Sequence, residues 1–212
     1  MRAALSLEQP DRVPIAEFVV DEQVAKGAVL ECTDAADAMD RFGIDTVSCG
    51  ATFDVVKRAD DGAYWDEWGV MYRPGPEAFA HPVRGLIRTY EDAEAYQPPD
   101  PAVPVCLAPR RDRVRRYKGV RAMCSHHRAA FMWSAYLMGL DGLLMAMVVD
   151  RGLAELALDK VLDTSMQIVR AAIRAGAEVI ILGDDHAYNR GPLMSPALFE
   201  AVNLPRLLRM TA

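Results

Sequence analysis

Asp184, Asp185 and His186 stand side by side, two carboxylates and an imidazole placed directly after the apolar run Val179 to Leu182 and Gly183. Acids at the lip of a buried strand call for a reason, because an unpaired charge beside apolar surface is costly. Placed at the carboxyl end of a strand in a parallel sheet, they would face a ligand site. A plainer role is equally available, since Asp in turns often binds backbone amides. A His beside carboxylates has its charged form favoured, so His186 is expected to act as an acid or base, or to serve the loop. Tyr188, Asn189 and Arg190 follow and are expected to shape that loop. Arg190 can hold an anionic substrate group or pair with Asp184 or Asp185.

A second group of polar residues follows "VRAMCS" at 120 to 125. There Ser125, His126 and His127 are expected just past a strand. His126 could donate a proton or touch substrate, or cap a helix; His127 is the weaker candidate because adjacent side chains diverge. Trp65 and Trp68 lie three apart in "YWDEWG", as a lid, a subunit contact or a cover for a hairpin face. The four cysteines, Cys32, Cys49, Cys106 and Cys124, contain no C-x-x-C pair, so no zinc-ribbon spacing or disulfide framework is read. No metal ligand is assigned, and reduced thiols fit a cytoplasmic protein.

The elements that must position these groups alternate strand and helix. Strands are expected at 13 to 20, 44 to 50, 120 to 125 and 178 to 182. Helices are expected at 34 to 42, about 104 to 118, 153 to 175 and after Ser195-Pro196, where an N-cap is followed by proline. The long helix carries Leu156, Val161, Ile168, Val169 and Ile173 and ends near Gly176; the last turns Leu198, Phe199, Val202, Leu207 and Leu208 inward, with Pro205 kinking or splitting it. Residues 53 to 89 alternate polar and apolar around the turn pair Asp61-Gly62, an antiparallel excursion. The apolar run Ala129 to Val149 is interrupted by Asp141 and two glycines, and reads as two buried helices joined at 139 to 142 rather than a membrane span.

Four strands apolar on both faces and separated by helices predict a parallel α/β sheet. The hydrophobic fraction of 51% suits one globular domain over 1 to 212. The net charge of −6 excludes a general nucleic-acid binder, and the basic run Arg110 to Lys118 reads as a solvated helix face. No signal peptide is expected from the opening residues, where Arg2 is followed by only a short apolar stretch before Glu8 and Pro10.

The stretches "RAALSLEQPDRVPIAEF", "WDEWGVMYR" and "GDDHAYNRGPLMSPALFEAVNLPRLLRM" resemble the uroporphyrinogen decarboxylase superfamily, which includes haem-pathway decarboxylases and corrinoid-linked methyltransferases. The resemblance implies a TIM (β/α)8 barrel, here truncated to about its first half, with four core parallel strands and the antiparallel hairpin excursion. It also implies a pocket tyrosine at Tyr136 and a small-molecule substrate. Decarboxylases of the family bind an octacarboxylate and carry arginines after the first strand. This chain has Glu17, Asp21 and Glu22 there and no arginine between Arg12 and Arg41.

With Asp184 and Asp185 that makes an acidic mouth, where like charges repel by about 1–4 kcal/mol per pair. The methyltransferase branch is therefore expected, with zinc held by later residues and a corrinoid protein as partner. A decarboxylase of a less acidic substrate, or an inactive fragment or interaction module, are the alternatives. Catalytic residues expected are Asp184, Asp185, His126 and Tyr136; substrate contacts are Glu17, His186, Tyr188 and Arg190. No membrane or nucleic-acid partner is expected. Open sheet edges predict self-association, and a homodimer follows from the resemblance.

Overall fold

The computed structural model describes residues 1–17, 20–28, 35–51, 53–75, 81–101 and 108–212. The chain divides into two compact units, one of residues 1–52, 103–127 and 169–181, the other of 53–102, 128–168 and 182–212.

The first unit is built on a three-stranded sheet in the order β1 (Thr46–Ser48), β6 (Ala122–His127), β7 (Val179–Leu182). β1 and β6 run parallel, with Thr46 opposite Ala122 and Ser48 opposite Cys124. Val47, Cys49, Met123 and Tyr117 form its core, with Val114 and Ala177 packed against them. Around the sheet lie α1 (Arg2–Leu5), α2 (Glu22–Ala28), α3 (Ala35–Arg41) and α5 (Ala108–Tyr117). The expected starts of α3 and α5, at Asp34 and Pro104, lie outside the described residues, as do Cys32 and Cys106. The basic face of α5 is partly used internally: Arg113 donates to the Ser48 carbonyl at 3.0 Å and Arg116 pairs with Asp37 at 3.2 Å.

The expected first strand does not form over residues 13–17, and Phe18 and Val19 lie outside the described residues. Val13 and Ile15 remain 84% and 52% exposed, so the apolar alternation gains no burial. The segment is instead tied by side chains: Asp45 accepts from Ile15 N at 2.9 Å and from Arg12 at 2.6 Å, and Thr46 Oγ1 bonds the Glu17 backbone. Burial acts to raise the Asp45 pKa, yet the Ile15 amide and the Arg12 guanidinium together hold it below the usual carboxylate range. Among the described residues the core sheet has three strands rather than four, and no closed ring of strands is present.

The second unit opens with the excursion, a four-stranded antiparallel sheet β2 (Val55–Arg58), β3 (Tyr64–Asp66), β4 (Met71–Arg73), β5 (His81–Arg84), whose first turn carries Asp61-Gly62 as expected. Trp68 is not a lid residue; it is 1% exposed and stacks on Trp133 at 4.4 Å, with Phe53 edge-on to both. α4 (Tyr90–Ala95) starts at a capping box formed by Thr89 and Asp92.

The apolar run 129–149 splits into α6 (Ala130–Met138) and α7 (Leu140–Val149), bent by 103°. The joint is Gly139 alone, at φ 79°, a conformation that side chains resist. Among the described residues no single helix is long and apolar enough to cross a membrane. α8 (Arg151–Arg174) buries Ala154, Ala157, Leu158, Val161 and Leu162 at helical spacing, while Ile173 is 53% exposed.

After β7 come the short hairpin β8 (Ala187–Tyr188) and β9 (Gly191–Pro192), then α9 (Pro196–Val202) and α10 (Leu204–Thr211). Ser195 caps α9 by accepting from Leu198 N at 3.2 Å. The helix is split at Asn203, with Pro205 in the first turn of α10. That break turns Leu208 outward, 58% exposed, against expectation.

Candidate functional site

α6 begins without a cap of its own, because Ala129 at its N-cap position has no side-chain acceptor. The first amides of a helix need acceptors, and burial makes their absence costly. Asp184, two residues past β7, supplies both: Oδ2 accepts from Phe131 N at 3.0 Å and Oδ1 from Met132 N at 3.1 Å. A carboxylate at a helix N-terminus also meets the positive end of the helix dipole. Burial nevertheless raises the Asp184 pKa, with the Met132 and Phe131 amides and His186 acting in the opposite direction.

His186 packs its ring on Phe131 at 4.8 Å and edge-on to Phe199 at 5.2 Å. Its Nε2 is buried with no hydrogen-bond partner among the described residues. It shares with Asp184, Asn203 and Arg206 a crevice too tight to admit a water molecule. The expectation of a favoured imidazolium is corrected here. Burial lowers the His186 pKa, and this outweighs the opposing pull of Asp184 and Asp185.

A pH effect follows from that sign. The unfolded chain binds the proton more readily, so stability fully present above the ordinary value of 6.5 is lost as pH falls from there to the lower folded value. His186→Phe keeps the aromatic contacts and removes the titration. Urea unfolding at pH 7.5 and pH 5 should show a smaller acid loss in the variant than in the parent; equal losses would contradict the assignment.

The other expected residues are distributed as follows. Asp185 is exposed, and so are Tyr188 and Arg190 on the β8–β9 hairpin. Arg190 forms no ion pair with Asp184 or Asp185. Ser125, His126 and His127 lie inside β6 rather than past it, because the strand runs two residues further than expected. His127 is buried and His126 half-buried, each on its own face. Glu17 is exposed in the first unit. Asp184 and His186 are therefore the pair that the structure brings together.

Tyr136 lines a groove of about 390 Å³ with Pro82, Val83, Gly85, Met132 and Leu140. Gly85 makes this wall possible: a Cβ there would collide with the backbone carbonyl of Met138. Leu86 and Ile87 then donate to the Leu137 carbonyl, docking the excursion on α6.

Three residues of this region carry no sequence expectation. Arg128, the first residue past β6, lies over the Trp133 and Tyr136 rings at 5.7 and 5.1 Å. Asp66 is buried, accepting from Val70 N at 3.0 Å and Tyr72 Oη at 2.9 Å. Burial raises the pKa of Asp66, and burial together with the Asp66 charge raises that of Tyr72. The position of Arg128 directly after a strand was the available signal for it, masked by the two histidines before it.

Among the described residues no group of three His, Cys, Asp or Glu side chains is placed to hold a metal ion. Cys124 and Cys49 are buried, and burial, with Cys49 beside it, pushes the Cys124 thiol up to about 11. Cys124 is thus a buried, neutral thiol at pH 7 rather than a ready nucleophile.

The sequence model of uroporphyrinogen decarboxylase (URO-D) matches residues 69–212. A solved structure of a methyltransferase from Methanosarcina mazei is similar at a TM-score of 0.75 and 18% identity, over 98% of this chain and 64% of that one. The chain thus spans less than two-thirds of the length of that protein, and at this identity the likeness is one of fold. No curated protein matches.

Proposed function

The chain belongs to the uroporphyrinogen decarboxylase family, and from that premise we propose that it is about the first half of the barrel of a methyltransferase-type enzyme acting on a small molecule. The observation that carries the reading is the commitment of the two arginines that flank the segment after residue 12. A tetrapyrrole with eight carboxylates needs several guanidinium groups in its pocket. Here Arg12 and Arg41, which bracket the arginine-poor segment after residue 12, are held by Asp45 at 2.6 Å and Asp37 at 3.1 Å. The 390 Å³ groove beside Tyr136 is also at the small end of ligand sites, suited to a compact substrate.

In this reading the core sheet is part of a (β/α)8 barrel whose ligands lie past the strand ends. Asp184 is a positioning residue that holds the start of α6, and α6 presents Tyr136 to the substrate. Asp185, Tyr188 and Arg190 stay as contacts from the loop after β7, and Glu17 and His126 stay as candidate contacts. A thiol acceptor would take the methyl group from a methylated corrinoid on a partner protein. The described residues do not fit zinc, and the groove does not fit a corrinoid macrocycle, so neither is assigned to this chain.

The test is an assay of the protein with methylcobalamin and a panel of small thiols, alongside uroporphyrinogen. Thiol-dependent loss of methylcobalamin absorbance with no carbon dioxide from uroporphyrinogen is expected. Steady carbon dioxide release would overturn the proposal in favour of the decarboxylase.

A further inference from the structure

Arg128 is half-buried, yet among the described residues it forms no ion pair and no hydrogen bond. Its guanidinium is held by the Trp133 and Tyr136 rings, which are themselves edge-on at 5.8 Å. Cation–π contact fixes the plane of an arginine and leaves its N–H groups free to donate. Asp66, which like Arg128 acts on the Tyr72 hydroxyl, does not pair with the guanidinium. Asp66 is committed to Val70 N and to the Tyr72 hydroxyl. The Tyr136 hydroxyl likewise has no hydrogen-bond partner among the described residues, and Tyr136 lines the groove.

Arg128 does not itself line the groove, but its guanidinium lies 5.1 Å from the ring of Tyr136, which does, so among the described residues a cation with no paired acid and a hydroxyl with no partner meet at one side of an apolar groove. Arg128 also directly follows β6, at the end of a parallel strand where ligands bind. We infer that Arg128 and the Tyr136 hydroxyl form a subsite for the carboxylate of a small, otherwise apolar ligand. The planar guanidinium suits two oxygens of one carboxylate, and the wall of Val83, Met132 and Leu140 suits the apolar body. One such group is what a compact substrate carries; the subsite could not neutralise eight. The inference relies on the functional reading for the place of the pocket and not for the reaction, so binding and turnover are read separately.

The experiment is isothermal titration of the protein with benzoate and with benzamide, its uncharged counterpart of the same shape. Benzoate is expected to bind the parent at least about tenfold more tightly, the difference a charge-assisted pair makes. In Arg128→Gln the preference should shrink to less than about threefold, while Arg128→Lys, which keeps the charge but loses the fork, should fall between. Tyr136→Phe should weaken benzoate and leave benzamide nearly unchanged. Near-ultraviolet circular dichroism of the Trp68–Trp133 stack reports whether each variant keeps the fold. If Arg128→Gln does not, the parent's benzoate-to-benzamide ratio and the Lys variant still decide the matter. Equal affinity for both probes, no benzoate binding by the parent, or an undiminished preference in a folded Gln or Lys variant would overturn the subsite. Loss of the methyl-transfer reading with benzoate preference intact would leave it standing.

Discussion

Replacing Asp184 with Ala is expected to cost about 2–3 kcal/mol of unfolding free energy, although the side chain removed is an ionisable group in a costly place. Loss of an N-cap acceptor alone costs about 0.5–2 kcal/mol. Two amides, those of Phe131 and Met132, lose their acceptor together, and buried orphan donors cost about 1–3 kcal/mol each. Relief of the carboxylate's own burial, visible in its raised pKa, offsets part of this. For a chain of this size the melting temperature should drop by roughly 5–10 °C.

Asp184→Asn should lose less, because its amide oxygen still satisfies one donor while its NH₂ faces the other. The raised pKa also sets the sign with pH: protonation favours the folded form, so the titration's contribution to stability is full below the ordinary value of 3.8 and is lost as pH rises through the folded value. An Asp184→Ala variant as stable as its parent in urea would show that α6 needs no help from Asp184.

Arg206→Ala is expected to cost more, about 3–4 kcal/mol. Arg206 is 8% exposed and binds Asp159 through Nε at 2.9 Å and Nη2 at 2.8 Å, with a further bond to the Val202 carbonyl at 2.6 Å. Breaking a buried pair from one side costs about 3–5 kcal/mol when the partner is stranded. Asp159 is 47% exposed and can recover water, which places the effect toward the low end. The guanidinium ties α10 to α8, so its loss should free the last helix. Arg206→Met restores the packing of the stem without the charge and is expected to lose about half as much. Equal urea midpoints for the two variants would mean that packing, and not the ion pair, holds α10.

Local chemistry makes much of the fold readable. The Ser195-Pro196 start, the Asp61-Gly62 turn and the helix ending before Gly176 each rest on a few neighbouring residues, and each is present. Expectations fail where the outcome depends on distant surfaces. The alternation at 13 to 17 is a strand pattern, but Val13 and Ile15 stay exposed, and the side chains of Asp45 and Thr46 take the backbone instead.

The site divides in the same way. The place of Asp184 after an apolar strand is legible, since it needs only the pattern of Val179 to Leu182. Its partners are not, being amides more than fifty residues earlier in the chain. For His186, neighbouring carboxylates point to a cation, whereas the packing of Phe131 and Phe199 around the ring decides for the neutral form. The sequence signal for Arg128 is only its place directly after a strand; its meaning lies in what surrounds it: two rings, and no acid paired with it among the described residues.

Residue-resolved hydrogen exchange of the Phe131 and Met132 amides, in the parent and in Asp184→Asn, measures the hold of Asp184 on α6 directly. Protection at one or both amides should collapse in the variant while Ala122 to Cys124 in β6 exchange as before. Unchanged protection at both would mean that Asp184 does not hold the helix bearing Tyr136.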